Sequence, residues 1–413
     1  MEKKYDFSGS SPWPQIRKKR IKELLPKAMQ LAEVDVWVII CRENANDPLA
    51  SHVGGENAGR EMGIIFELSG DTVQSTAFSP WGEVVGLREM DVHDEIITLE
   101  NPETLYQKIA DRLHKLNPGA IAINSSNKNI ADGLSYTQRK NLEQALGFMK
   151  DNLVSSQDLV SEWLAVKLDE EIEIMTRAGE LTVKIILDAY KKIVPGQTTD
   201  KEVADWIREG MEFYNVKDAW SENHNPSVNS GVARGHAGPS QKVIYPNDFI
   251  QTDFGIKVYD RWCTDYQRFA YVLEKGSEVV PEEDLKKWKS AVKGHRLVLA
   301  EMKPGLMGYD LDLIQREWMN ESGSDNVRWG TGHPVGYFAH DIGPALTGGQ
   351  REVPPTDALR VLREGMVFAY DGFYAWQVEQ GERLISVEEM AVVTKDGGKY
   401  LIPPQEDLIL IKS

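Results

Sequence analysis

Asp248-Phe249-Ile250-Gln251-Thr252-Asp253-Phe254-Gly255, running on to Trp262-Cys263-Thr264-Asp265-Tyr266-Gln267-Arg268, is the stretch whose reading decides the fold. It has the apolar and β-branched texture of a pair of strands, yet two of its interior positions are aspartates. Strand interiors are depleted in Asp, because a short charged side chain neither packs nor tolerates burial. One such acid fits a solvated turn. Two, each flanked by apolar residues, point to carboxylates held in a partly buried place, where the usual compensation is a cation. The remaining ligands must then come from farther along the chain.

Later strand-like runs each carry an acid or an imidazole. Gly330-Thr331-Gly332-His333-Pro334-Val335-Gly336 leads into Tyr337-Phe338-Ala339-His340-Asp341. Gly365-Met366-Val367-Phe368-Ala369-Tyr370-Asp371-Gly372-Phe373-Tyr374 follows, and then Ile385-Ser386-Val387-Glu388-Glu389-Met390. Any one of these has an ordinary explanation: a salt-bridged or edge acid, or a hydrogen-bonded structural histidine beside glycines. Together, four carboxylates and one imidazole suit two divalent ions such as manganese, cobalt, iron or zinc. Two such ions about 3.5–4 Å apart activate a water and polarise a carbonyl under attack.

At 413 residues the chain is long enough for two domains. A net charge of −17 argues against a nucleic-acid partner, since no basic surface is available to displace phosphate counterions. Arg17-Lys18-Lys19-Arg20, the basic cluster near the start, falls on a helical pattern and reads as a solvated face. Two cysteines, Cys41 and Cys263, each in an apolar run, read as small buried hydrophobes in a reducing compartment, which places the protein in the cytoplasm. No signal-type h-region and no membrane-length apolar run is visible.

Residues 14–33 have helical spacing. Val34–Cys41, Gly63–Leu68, Thr72–Phe78, Glu95–Leu99 and Ala120–Asn124 read as strands, with helices over 102–116 and 134–147. This alternation predicts an α/β domain with a mixed sheet over residues 1–160, without a phosphate loop, metal spacing or nucleophile motif. From 161 to 413 the pattern changes. A long helix runs from Asp169 to Val194, and a second, over 199–214, starts at Thr198-Thr199-Asp200 with Glu202 placed for a capping box. Acid-bearing strands follow, then helices over 281–302 and 309–322, then strands again. The repeated order hints at an internal duplication.

The order Asp–Asp–His–acid–Glu resembles the pita-bread metallopeptidase family, which includes Xaa-Pro aminopeptidase, prolidase, methionine aminopeptidase and the metal-free creatinase. The family's Asp-x-Gly strand is similar to Asp253-Phe254-Gly255, and its Asp-x-Thr-Arg strand to Asp265-Tyr266-Gln267-Arg268. Its Gly-His-x-x-Gly segment, with a second His seven residues on, resembles Gly332–Gly336 with His340. Gly365–Tyr374 resembles its Gly-Met-Val-Phe run, and Ser386-Val387-Glu388 its last Arg-x-Glu strand. His236, seventeen residues before Asp253, completes the set.

The resemblance implies an α+β protein whose pita-bread domain, residues 161–413, follows a smaller creatinase-type α/β domain, residues 1–160. It implies Asp253, Asp265, His333, Asp371 and Glu388 as ligands of two metal ions, with Asp265 and Glu388 bridging them. His236 and His340 would contact substrate and stabilise the tetrahedral intermediate, and Asp371 would shuttle the proton. The implied activity is that of an Xaa-Pro aminopeptidase or dipeptidase, acting as a homodimer without a nucleic-acid or membrane partner. Two alternatives stay open on the same fold. One is an enzyme of small non-peptide compounds, for which Trp329 with Trp262, Tyr337 and Trp376 would line a pocket unless these are core aromatics. The other is a non-catalytic binding protein.

Several residues depart from the family's pattern. Asp253 and Asp265 are one residue farther apart than is usual, a difference that a bulge or loop can absorb. Asp371 replaces Glu, Gly372 replaces Pro, Trp329 replaces His, Gln267 replaces Thr and Ser386 replaces Arg.

Overall fold

The computed structural model describes residues 3–235 and 237–413, so His236 lies outside the described residues. The chain forms two compact units. One is Pro12–Leu164; the other is Ala165–Ser413 together with the segment ending at Ser11.

In the first unit a six-stranded mixed sheet has the order Glu95–Leu99, Thr72–Pro80, Met62–Ser69, Val36–Cys41, Ile121–Ile123, Leu153–Ser155. Val36–Cys41 is antiparallel to Met62–Ser69 and parallel to Ile121–Ile123. All six of its residues are buried, which is why its sequence is an unbroken apolar run rather than an alternating one. The helix Leu105–Leu116 buries Leu105, Ile109, Ala110 and Leu113, one stripe at helical spacing, against Val36, Val38 and Ile40. The helix expected over 14–33 passes through a π-helical turn at Arg20–Leu24. Its basic cluster is a correction to the sequence reading: Arg17 and Arg20 are buried, not solvated. Arg17 pairs with Glu56 at 2.5 Å, and Arg20 donates to the carbonyl of Trp163, so both charges turn inward because acceptors wait there.

The second unit repeats one plan twice. Helices Asp169–Tyr190 and Asp200–Tyr214 precede a sheet ordered Ile409–Ile411, Tyr266–Val272, Phe249–Phe254, Ser227–Ser230. Helices Glu282–Glu301 and Gly308–Ser322 precede a sheet ordered Gly332–Pro334, Val367–Val378, Gly381–Thr394, Gly397–Tyr400. The first helix stops at Tyr190, short of Val194. The second begins with the expected capping box, in which Thr199 and Glu202 satisfy each other's backbone N–H.

Each helix pair is pinned to its sheet by core contacts. The Tyr190 hydroxyl lies 2.8 Å from the Thr252 hydroxyl and 2.9 Å from the carbonyl of Arg268, to which it can donate. Trp288 and Ala291 pack with Ile385 and Val387. The sheets are joined by a buried ion pair between Arg268 and Glu389 at 3.0 Å. The acid-bearing ends of both sheets are thereby brought together.

Candidate metal centre

Strand alternation carries the acids to one place. Gln267 pairs directly with Asp253 across the antiparallel strands, and Asp265 precedes Gln267 by two residues, so all three project from one face. The same register continues inward to Lys257↔Cys263 and Val258↔Trp262. The extra residue between the aspartates therefore requires no bulge; Tyr259 and Asp260, both left-handed, form the tip with Arg261. Gly255 is required here. A Cβ on it would lie 2.1 Å from the Thr264 carbonyl and 2.4 Å from the Trp220 ring.

On the facing sheet Asp371 pairs directly with Glu388, and His333 pairs with Ala369 on the same strand as Asp371. Asp371 donates its N–H to the Thr331 carbonyl at 2.7 Å. Thr331 is fixed in turn by Asp312, which accepts from its N–H at 3.0 Å and its hydroxyl at 2.6 Å.

Asp265, His333 and Glu388 form a compact ligand group, their donor atoms all within 4.8 Å of one another. His333 Nε2 lies 3.7 Å from Asp265 Oδ2 and 3.8 Å from Glu388 Oε1. These separations are too long for hydrogen bonds and suit atoms that share an ion. Nδ1 of His333 lies 3.3 Å from its own Pro334 carbonyl. A proton on Nδ1 for that contact leaves the Nε2 lone pair facing the carboxylates, the tautomer a metal ligand needs.

Asp253 and Asp371 line the same cavity, which has a volume of about 500 Å³. Burial pushes the Asp253 carboxyl up to about 7. Burial, and then the neighbouring Asp253 charge, push Glu388 up to about 8. Asp265 and Asp371 are raised well above the carboxylate range by burial and by the other acids. Four enclosed carboxylates repel one another, and a divalent cation is the counterpart that lets them ionise together. The donor set fits such an ion.

His340 lines the cavity and its ring lies 4.1 Å from that of His333. Its loop is tied down by Asp341, which accepts the N–H groups of Tyr337 at 2.8 Å and Ile342 at 2.9 Å and faces buried Lys167 at 3.8 Å. Trp329 is at the cavity, 38% exposed, with its ring edge-on to Phe373. Trp262 and Tyr337 are core residues, and Trp376 is half-buried against the core. The first two donate to buried Glu171, at 3.1 and 2.6 Å, and Trp376 packs on Phe249. Trp220, Gln251 and His224 line the cavity instead. The sequence reading missed them, although Gln251 carries a legible signal: it lies two residues before Asp253 and shares its face.

The sequence profile of metallopeptidase family M24 matches residues 173–395, more than half of the chain. The chain belongs to that family. Among M24 relatives, an Xaa-Pro dipeptidase of Pyrococcus furiosus is 24% identical over 298 residues, covering 70% of this chain and 77% of the relative. An Xaa-Pro dipeptidase of Lactobacillus helveticus is 26% identical over 256 residues, covering 59% and 62% respectively. Among solved structures, the dipeptidase PepE of Mycobacterium ulcerans superposes with a TM-score of 0.70 at 20% identity, over 98% of this chain and all of that one. The X-Pro aminopeptidase of Thermotoga maritima superposes at 0.66 and 21%, over 93% and 100%. The second unit thus has the pita-bread fold, and this M24 protein is a metal-dependent peptidase.

Proposed function

We propose that the protein cleaves the N-terminal Xaa-Pro bond of a peptide or dipeptide, using two divalent ions held by Asp253, Asp265, His333, Asp371 and Glu388. The observation that carries this reading is His333 Nε2, set 3.7–3.8 Å from two carboxylate oxygens in a cavity that two further acids also line. Asp265, His333 and Glu388 would hold the ions at the compact end of the set, with Asp253 and Asp371 completing it. When bound, the ions (manganese, cobalt, zinc or iron) activate a water and polarise the scissile carbonyl. Asp371 accepts the proton of the attacking water and passes it to the leaving nitrogen. His340, on its anchored loop, donates to the oxygen that gains charge, and His236 is its partner in that role.

Pro12–Leu164 is the creatinase-type domain in this reading. In this reading the protein is a homodimer and is cytoplasmic, and its two buried free cysteines accord with a reducing compartment. The test is elemental analysis of purified protein combined with Xaa-Pro and Xaa-Ala peptide assays. Two metals per chain with proline-dependent turnover is the expected result, and metal without any peptide turnover refutes the peptidase reading. Trp220 and Trp329 at the cavity favour one second reading, a small cationic or apolar non-peptide substrate held on aromatic faces. Turnover on a panel of small C–N compounds, with none on peptides, would select it.

A further inference from the structure

Behind the acids lies a second polar layer built from the same strands. Gln251 precedes Asp253 by two residues, Ser386 precedes Glu388 by two, and Gln267 pairs with Asp253, so strand alternation places each on its acid's face. Gln267 is at the centre of this layer. Its Nε2 donates to Glu388 Oε2 at 2.9 Å and to Asp371 Oδ1 at 3.3 Å. Its Oε1 accepts from Gln251 Nε2 at 2.6 Å and from the Ser386 hydroxyl at 2.7 Å. Gln251 Nε2 also donates to the Ser386 hydroxyl oxygen at 3.0 Å.

The direction of these bonds is forced. With a divalent ion beside them the acids are ionised and only accept, so the NH2 group of Gln267 must face them. Its oxygen then faces Gln251 and Ser386, both of which must donate. One orientation of the three side chains satisfies all five contacts. The result at Glu388 is specific: Oε2 is engaged by Gln267, while Oε1 is the oxygen that faces His333 Nε2.

We propose that Gln267 is a positioning residue for the metal centre, locked in its orientation by Gln251 and Ser386. It ties together Asp371 and Glu388, which come from neighbouring strands, and sets which oxygen of Glu388 faces His333. A neutral carboxamide does this without placing a fixed positive charge beside the ions. A guanidinium or ammonium at the same distance would hold the carboxylates as well but would repel the metals. The inference rests on the metal-centre reading above.

The test is titration of metal-free protein with Mn2+ by calorimetry, alongside thermal unfolding of the metal-free form. Gln267→Met, close in shape, removes both donors and the acceptor. It is expected to weaken Mn2+ binding about 10–100-fold, as loss of an orienting partner does, while lowering the metal-free Tm only modestly, since Gln251 and Ser386 lose an acceptor. Gln251→Leu is expected to weaken binding less, and Gln251→Leu/Gln267→Met no more than Gln267→Met alone, because Gln251 acts through Gln267. Ser386→Ala, which trims a single atom, gives the same smaller effect if either larger substitution fails to fold. Wild-type affinity in Gln267→Met, or effects of the two substitutions that simply add, would overturn the proposal. Wild-type protein that takes up no Mn2+ at all would overturn the metal reading itself, and this one with it.

Discussion

Glu389→Leu removes one partner of the buried ion pair that joins the two acid-bearing sheets. Arg268 and Glu389 side chains are only 3% and 2% exposed, and Arg268 Nη2 lies 3.0 Å from Glu389 Oε2. Deleting the carboxylate leaves a guanidinium in a dry interior, a loss of about 3–5 kcal/mol. Two carbonyls, those of Gln267 and Glu388, still accept from Arg268 Nη1 and set the loss toward the lower end of that range. The N–H of Gln405, which donates to Glu389 at 2.6 Å, loses its acceptor and adds about 1 kcal/mol. The expected total is about 4 kcal/mol, read by urea unfolding of the metal-free protein. Arg268→Met/Glu389→Leu replaces both charges by apolar groups and should recover at least half of it. A loss below about 1 kcal/mol for Glu389→Leu, or a double variant less stable than the single, would refute the reasoning.

Three further outcomes follow from the same structure. His333→Ala removes a proposed metal ligand and should weaken Mn2+ binding by more than the roughly 100-fold upper range for an orienting residue, measured by calorimetry. Gly255→Ala places a methyl against the Thr264 carbonyl and the Trp220 ring; it should destabilise by about 1–3 kcal/mol and shift Trp220 fluorescence. Buried His295, with Nε2 on the Tyr370 carbonyl at 3.0 Å and Nδ1 by the Tyr400 hydroxyl at 2.8 Å, is held neutral, its pKa lowered to about 3 by burial. Its folded pKa lies below the unfolded value near 6.5, so the folded state binds fewer protons and stability falls as pH drops through that window. The contribution between pH 6.5 and 5 is about 2 kcal/mol, and His295→Gln should flatten the acid limb of a stability–pH curve.

The parts of this protein that repeat a local rule were legible from residues alone. Val36–Cys41 was readable because burial on both faces writes an unbroken apolar run, and Asp200–Tyr214 because Thr199 and Glu202 spell a capping box. Asp253, Asp265, His333, Asp371 and Glu388 stood out because each breaks a strand's apolar texture. Their convergence depends on register: Gln267 against Asp253, and Asp371 against Glu388. Other features are written in no local pattern. Trp220 reaches the cavity from an irregular segment, past a glycine, whereas Trp262 and Tyr337 are drawn into the core by the carboxylate of Glu171, far away in sequence. Arg17 and Arg20 looked solvated because helical spacing does not reveal that Glu56 and the Trp163 carbonyl await them. Gln267 was visible as a departure from the family pattern, but its role depends on Gln251 and Ser386, which only the folded sheets bring to it.

The most direct test of the metal centre is anomalous diffraction from crystals of the protein grown with Mn2+. The account predicts two anomalous peaks per chain among Asp253, Asp265, His333, Asp371 and Glu388, with the carboxylates of Asp265 and Glu388 touching both. No peak in this cavity at saturating Mn2+, or peaks confined to other residues, would contradict it.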